Sequence, residues 1–202
     1  MQEMSDSLKK IEQDARKSGV PLMLDSGMEF LLDYIRCHPE ITRVLECGTA
    51  VGWSSMNIAG IRENITIDTL EVDPRMYEQA VANIRAAGLD DRIFVHLSDA
   101  SLYTTAQYYD LFFIDAAKSQ YRMYLEHFFQ NSYIGSVFVF DKLNFHGIVD
   151  HPELSHNRST VQMTHKIAKF REAMLKDRRF ECRWHPEKGD GILIARRISE
   201  VK

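Results

Sequence analysis

Five short apolar runs alternate along the chain with longer segments whose apolar residues return every three or four positions. The runs are Arg43–Cys47, Thr66–Leu70, Arg92–His96, Tyr109–Ile114 and Ser136–Phe140. Arg43–Cys47 and Tyr109–Ile114 are apolar almost throughout, as expected of strands covered on both faces of a parallel sheet. The segments between and around them predict helices over Ser5–Ser18, Gly27–Cys37, Trp53–Ile61, Arg75–Ala87, Lys118–Phe129 and Thr160–Lys176. Met28, Leu31, Leu32 and Ile35 form one buried stripe, and Tyr121, Tyr124, Leu125 and Phe128 another. Pro74 and Gly88 bracket the fourth helix as start and stop signals. Phe180–His185 and Gly191–Arg196, joined at Pro186-Glu187-Lys188-Gly189, predict a closing hairpin. Strand–helix alternation followed by a hairpin predicts an α/β fold: a Rossmann-like, doubly wound, seven-stranded sheet. It is mostly parallel with an antiparallel C-terminal hairpin strand, and has helices on both faces. The Pro- and His-containing stretch His146–Ser159 is long enough to be a lid or a partner-binding insertion.

The strand ends carry the candidate chemistry. Glu46-Cys47-Gly48-Thr49-Ala50-Val51-Gly52 breaks the first run with two glycines that allow a sharp turn and close approach of a ligand. Its G-x-x-x-G spacing departs from the dinucleotide fingerprint G-x-G-x-x-G. The second run ends in Glu71-Val72-Asp73, where an acid reaches a ribose in doubly wound folds. The third leads to Ser98-Asp99-Ala100, the fourth to Asp115-Ala116-Ala117-Lys118 and the fifth to Asp141-Lys142. Polar residues at neighbouring carboxyl ends predict one ligand site there.

Composition narrows the class. A chain of 202 residues, 45% hydrophobic with net charge -4, is an ordinary globular protein. No run is long enough to span a bilayer, and Met1–Lys17 lacks the apolar core of a signal peptide, so a cytoplasmic location without membrane contact is expected. Cys37, Cys47 and Cys182 are odd in number and widely spaced, which predicts reduced, buried thiols. His146, His151 and His156 lack the spacing of metal ligands on a helix. From Arg158 onward, twelve Lys/Arg face six Asp/Glu, leaving the earlier part ten units acidic. Arg178, Arg179, Arg183, Lys188, Arg196 and Arg197 are candidate phosphate contacts or a solvated surface.

Glu46-x-Gly48-Thr49-Ala50-x-Gly52-x-Ser54, Glu71-x-Asp73, Asp99-Ala100, Phe113-Ile114-Asp115-Ala116-Ala117-Lys118 and Asp190-Gly191-Ile192 together resemble the catechol and caffeoyl-CoA type of S-adenosylmethionine-dependent O-methyltransferases. The resemblance spans about residues 20 to 197. It implies a single domain over 1–202, in which residues 1–24 supply an N-terminal helix and a segment covering the cofactor. It implies Met23, Glu46, Gly48, Ser54, Glu71, Asp99, Ala100 and Asp115 at the cofactor, with Ser54 bonded to its carboxylate. Within the group the chain looks most like bacterial enzymes that methylate 5-hydroxyuridine at the tRNA wobble position. That likeness implies the tRNA anticodon stem-loop as partner and a homodimer; a catechol-like or CoA-linked phenol is the alternative acceptor. A chain that binds the cofactor without turnover is a third reading.

In metal-dependent relatives two carboxylates and an Asn hold a divalent ion, usually magnesium, beside a Lys. Asp115, Asp141 and Lys118 match, and the resemblance makes them catalytic together with Lys142. The Asn does not match, because the chain reads Asp141-Lys142. A protonated lysine has no lone pair to offer a metal and repels it. Either the Lys142 ammonium takes the cation's place, which is the favoured expectation, or Lys142 turns outward and Asn144 restores the metal site.

Overall fold

A computed structural model describes residues 2–200, with side chains from residue 7 onward. Its elements run α1 (Gln2–Lys17), α2 (Asp25–Cys37), β1 (Arg43–Cys47), α3 (Trp53–Ala59), β2 (Thr66–Glu71), α4 (Pro74–Ala86), β3 (Ile93–Leu97), β4 (Leu111–Ile114), α5 (Tyr121–Phe128), β5 (Val137–Phe140), α6 (Arg158–Lys176), β6 (Phe180–His185) and β7 (Ile192–Arg197). The strands form one sheet in the order β3-β2-β1-β4-β5-β7-β6. The first five are parallel, and β7 is antiparallel to β5 and β6. The doubly wound sheet expected from the hydrophobic pattern is the one observed.

Alternation along the central strands divides the core in two. Val44, Leu111 and Phe113 face a layer built from α1 to α4, while Leu45, Cys47, Phe112 and Ile114 face α5 and α6. All of these side chains are at most 1% exposed, which explains why β1 and β4 read as continuous apolar runs rather than as alternating ones. Phe112 stacks on Phe138 with centroids 4.3 Å apart, tying β4 to β5 on the second face.

Several boundaries shift for identifiable reasons. The fourth strand begins at Leu111, not Tyr109, because Tyr109 takes a backbone bond to Asn131 and the Asp110 carboxylate accepts from the Thr42 and Arg43 amides at 2.7 Å. The expected helix Lys118–Phe129 splits into 3-10 turns at Lys118–Gln120 and Phe129–Asn131 around α5. Cys47 is buried and Cys182 half-buried, but Cys37 is exposed at the end of α2, against the expectation of three buried thiols. No described helix is long and apolar enough to cross a membrane.

Candidate active site

β1 and β4 are neighbours whose crossovers run to opposite sides, so their carboxyl ends splay apart into a crevice. Gly48 lets the two loops meet there. Its φ is +103°, and a Cβ on it would lie 2.4 Å from the Asp115 carbonyl oxygen, so no other residue fits. A cavity of about 530 Å³ opens above, walled by the β1 loop, Glu71 to Asp73, Ser98 to Ala100, Asp115 to Ala117, and Gly19 to Met23. The charged side chains on its wall are Glu71, Asp73, Asp99 and Asp115, with no Lys, Arg or His.

Backbone amides hold these acids in place. Glu71 accepts from Ala50 at 2.7 Å and from Val72 and Asp73 at 2.9 Å. One oxygen of Asp99 accepts from the Ser101 amide and hydroxyl at 2.8 and 2.7 Å, which holds its pKa below the usual carboxylate range. Ala100 and Met23 line the wall as expected. So does the segment from Gly19, which α1 secures: Arg16 pairs with Asp25 at 2.5 Å and lies over Trp53.

Glu46 is elsewhere. It is fully buried beneath the cavity rather than on its wall, and accepts from the hydroxyls of Ser54, Ser55 and, at 2.6 Å, Thr69. Burial lifts its pKa to about 7 despite those bonds. Ser54 does reach the cavity, but its proton is directed to Glu46, so it offers lone pairs rather than the donor expected for a carboxylate. Trp53, Val72, Met76, Gln120 and Tyr124 also line the cavity and escaped the sequence reading. The exposed Val72 wedged between two acids was the available signal.

The ends of β4 and β5 form a second, differently charged corner. The Lys142 ammonium lies 2.9 and 2.8 Å from the two oxygens of Asp115 and 3.7 Å from Asp141, and Lys118 reaches Asp115 at 2.6 Å. Asp141 is 1% exposed, and neither of its oxygens has a hydrogen-bond partner. Burial and then the neighbouring Asp115 charge push its pKa up to about 7. Burial works against the charge on Lys142, but Asp115 and Asp141 outweigh it and raise its pKa. Asn144 is turned away, donating to Pro186 at 2.9 Å. Residues 115, 118, 141 and 142 thus converge as expected, while Asn144 does not join them.

This donor set does not fit a divalent ion. The space between the carboxylates holds an ammonium, which would repel a metal by about 4 kcal/mol per unit of metal charge at 4 Å and an effective dielectric of 20. No group of three His, Cys, Asp or Glu suited to a metal occurs among the described residues.

The 142–147 turn follows in a costly conformation: Lys142, Phe145 and His146 all have positive φ. Asp190 holds it, accepting from the His146 amide at 2.8 and 3.0 Å. Gly191 packs so closely that a Cβ would lie 2.6 Å from Trp184 and 2.7 Å from Asn144. The Asp190-Gly191 motif is therefore a brace for this corner.

Beside that corner is a smaller cleft of about 220 Å³ lined by Lys118, Ser119, Tyr121, Arg122, Lys166, Lys169 and Phe170. Arg122, Lys166 and Lys169 make no ion pair among the described residues. Two of the expected phosphate contacts, by contrast, are spent internally, Arg179 on Glu126 and Asp177 and Arg197 on the carbonyls of Phe129 and Ser132, while Arg183 meets Glu181 but stays largely exposed.

Fold and site define a doubly wound α/β enzyme with a nucleoside-sized cavity at the carboxyl ends of its strands. The O-methyltransferase family model matches residues 3–198, and the chain belongs to that family. It is 26% identical over 204 residues to a caffeoyl-CoA O-methyltransferase of Stellaria longipes, covering 96% of this chain and 84% of that one. Among solved structures, a putative caffeoyl-CoA O-methyltransferase from Staphylococcus aureus superposes with TM-score 0.89 at 24% identity, covering 94% and 91%. An O-methyltransferase from Bacillus cereus in complex with SAH gives 0.78 at 23%, covering 95% and 90%.

Proposed function

We propose that the protein is an S-adenosylmethionine-dependent O-methyltransferase acting on the 5-hydroxyl of 5-hydroxyuridine at the tRNA wobble position. In this reading Glu71 takes the ribose hydroxyls, the open oxygen of Asp99 takes the adenine amine and the Ala100 amide faces the ring. The lone pairs of Ser54 suit the cofactor's α-ammonium better than its carboxylate. Met23 and the residues before it cover the methionine end. When bound, the cofactor supplies a sulfonium methyl: an acceptor lone pair forms the O–C bond while the C–S pair returns to sulfur. Three wall carboxylates, Glu71, Asp73 and Asp99, that meet no cation among the described residues favour the positive donor over the neutral product, whereas Asp115 is compensated by its lysines. Asp115, Lys118, Asp141 and Lys142 would form the acceptor corner, shielded from water by the 142–147 turn.

The observation that carries the tRNA reading is the basic cleft, which shares Lys118 with that corner. Three cations that make no ion pair among the described residues, beside an acceptor site, suit the phosphates flanking a nucleotide in a chain. The enol-like hydroxyl of 5-hydroxyuridine is also more acidic than an alcohol and needs little activation. The same reading makes the enzyme cytoplasmic and a homodimer, whose second copy would cover Phe94, Leu97 and Leu102 along the exposed edge at β3.

Nucleoside mass spectrometry of tRNA from cells lacking the protein tests the assignment. 5-Hydroxyuridine should accumulate and 5-methoxyuridine should vanish. An unchanged profile would transfer the assignment to a phenol, the acceptor class named for the Stellaria relative.

A further inference from the structure

We infer that Lys142 is itself the cation of the acceptor site, and that it selects acceptors presenting one acidic hydroxyl rather than a chelating pair. The inference rests on the O-methyltransferase reading but not on the choice of tRNA. Its basis is a juxtaposition of charges. Asp115 and Asp141 carry two negative charges, Lys118 and Lys142 two positive ones, and all four lie within one chain of contacts of 2.6 to 3.7 Å. With both carboxylates ionised the four groups sum to zero, so an added divalent ion would leave the corner at least doubly positive in a setting where Lys142 and Asp115 are each 12% exposed.

The backbone is committed to this arrangement. Lys142 has φ +60°, a left-handed conformation unfavourable for lysine, and the residues after it are tied to the far hairpin through Leu143 N to Gly191 O and Asn144 N to Asp190 O. That conformation turns the chain where β5 ends, and the ammonium lies across the mouth of β4 on both oxygens of Asp115. An ammonium has three donors. Two are used on Asp115, and at most one is left for a further oxygen, with Asp141 at 3.7 Å too far to take it as a hydrogen bond. An acceptor oxyanion whose proton has gone to solvent matches that vacancy in charge and number. A vicinal diolate does not, since a single N–H cannot replace the two coordination positions that a metal offers.

Three proteins decide this: wild type, Lys142→Asn and Lys142→Met. Asparagine tolerates a left-handed backbone better than lysine, which offsets part of the cost of taking the ammonium from Asp115 and Asp141, and circular dichroism with donor binding by calorimetry checks that both variants fold. Mn²⁺ titration followed by electron paramagnetic resonance should show no site in wild type or Lys142→Met and a new site in Lys142→Asn. Methyl transfer by wild type should survive excess EDTA, and Lys142→Met should lose about 100-fold in kcat or more. With Mg²⁺ added, Lys142→Asn should gain activity on a catechol probe, 3,4-dihydroxybenzoate, that wild type leaves unmodified. A Mn²⁺ site in wild type, EDTA-sensitive transfer restored by magnesium, or full activity in a folded Lys142→Met protein would each overturn the inference. The metal titration needs no acceptor, so failure of the tRNA assignment would show separately, as absent transfer to hypomodified tRNA with the Mn²⁺ pattern intact.

Discussion

Two cavities meet at the Asp115–Lys118 ion pair, and they carry opposite charge. The larger is walled by four carboxylates and no cation, the smaller by three lysines and an arginine with no acid. The means of holding the charge also differ. Glu71 and Asp99 are fixed by backbone amides, which set their positions without neutralising them. Lys166 and Lys169 stand on α6 with long, flexible side chains. The first arrangement suits a small ligand that must be placed to within a fraction of an ångström. The second suits a polyanion that needs only to be drawn in and kept near. The shared pair marks where the two substrates would have to touch.

The largest effect should come from the acidic side. Glu71→Gln sets an NH2 donor against a backbone N–H of the turn and loses charge-assisted bonds worth about 1.5–3 kcal/mol each, so S-adenosylmethionine affinity measured by calorimetry should fall by two orders of magnitude or so. Binding of tRNA in a filter assay should not change, and a parallel loss would break the division between the cavities. An effect of comparable size lies beneath the same wall. The pKa of Glu46, about 7 in the fold, exceeds its unfolded value, so the folded state binds the extra proton between roughly pH 4.5 and 7. Its contribution is full below that window and is lost as pH rises through it, a change on the order of 3 kcal/mol. In urea titrations Glu46→Gln should flatten that decline; an unaltered pH profile would place the proton elsewhere.

On the basic side, Lys166→Ala with Lys169→Ala should weaken tRNA binding about tenfold and reduce the slope of log affinity against log salt by about 2. Donor affinity should stay constant. If the salt slope does not move, the cleft does not meet phosphate. The smallest expected effect is Asp99→Asn, which retains a hydrogen-bond acceptor but not the charge. A few-fold rise in the donor's Kd is expected, and a rise comparable to that of Glu71→Gln would show that Asp99 carries more than an edge contact.

Much of this was readable before any coordinates. The sheet followed from β1 and β4, whose burial on both faces leaves an unmistakable apolar run, and the wall acids followed from their places just past strand ends. Pairing through space was not readable. Nothing local tells that the proton of Ser54 goes to Glu46, or that Arg179 is spent on Glu126, 53 residues away. The composition of the C-terminal quarter suggested a basic face there. Of the cations that make no ion pair among the described residues, Lys166 and Lys169 on α6 do come from that quarter. Arg122 on α5 joins them only through the packing of two helices on one face of the sheet, which composition does not show.

The left-handed turn at residue 142 has an evolutionary consequence. Asparagine is among the side chains most at home in that conformation. Codons for asparagine and lysine share their first two bases and differ at the third. A single transversion therefore exchanges a tethered charge for a diffusible one without disturbing the scaffold, and a lineage could change its mineral requirement while keeping every strand in place.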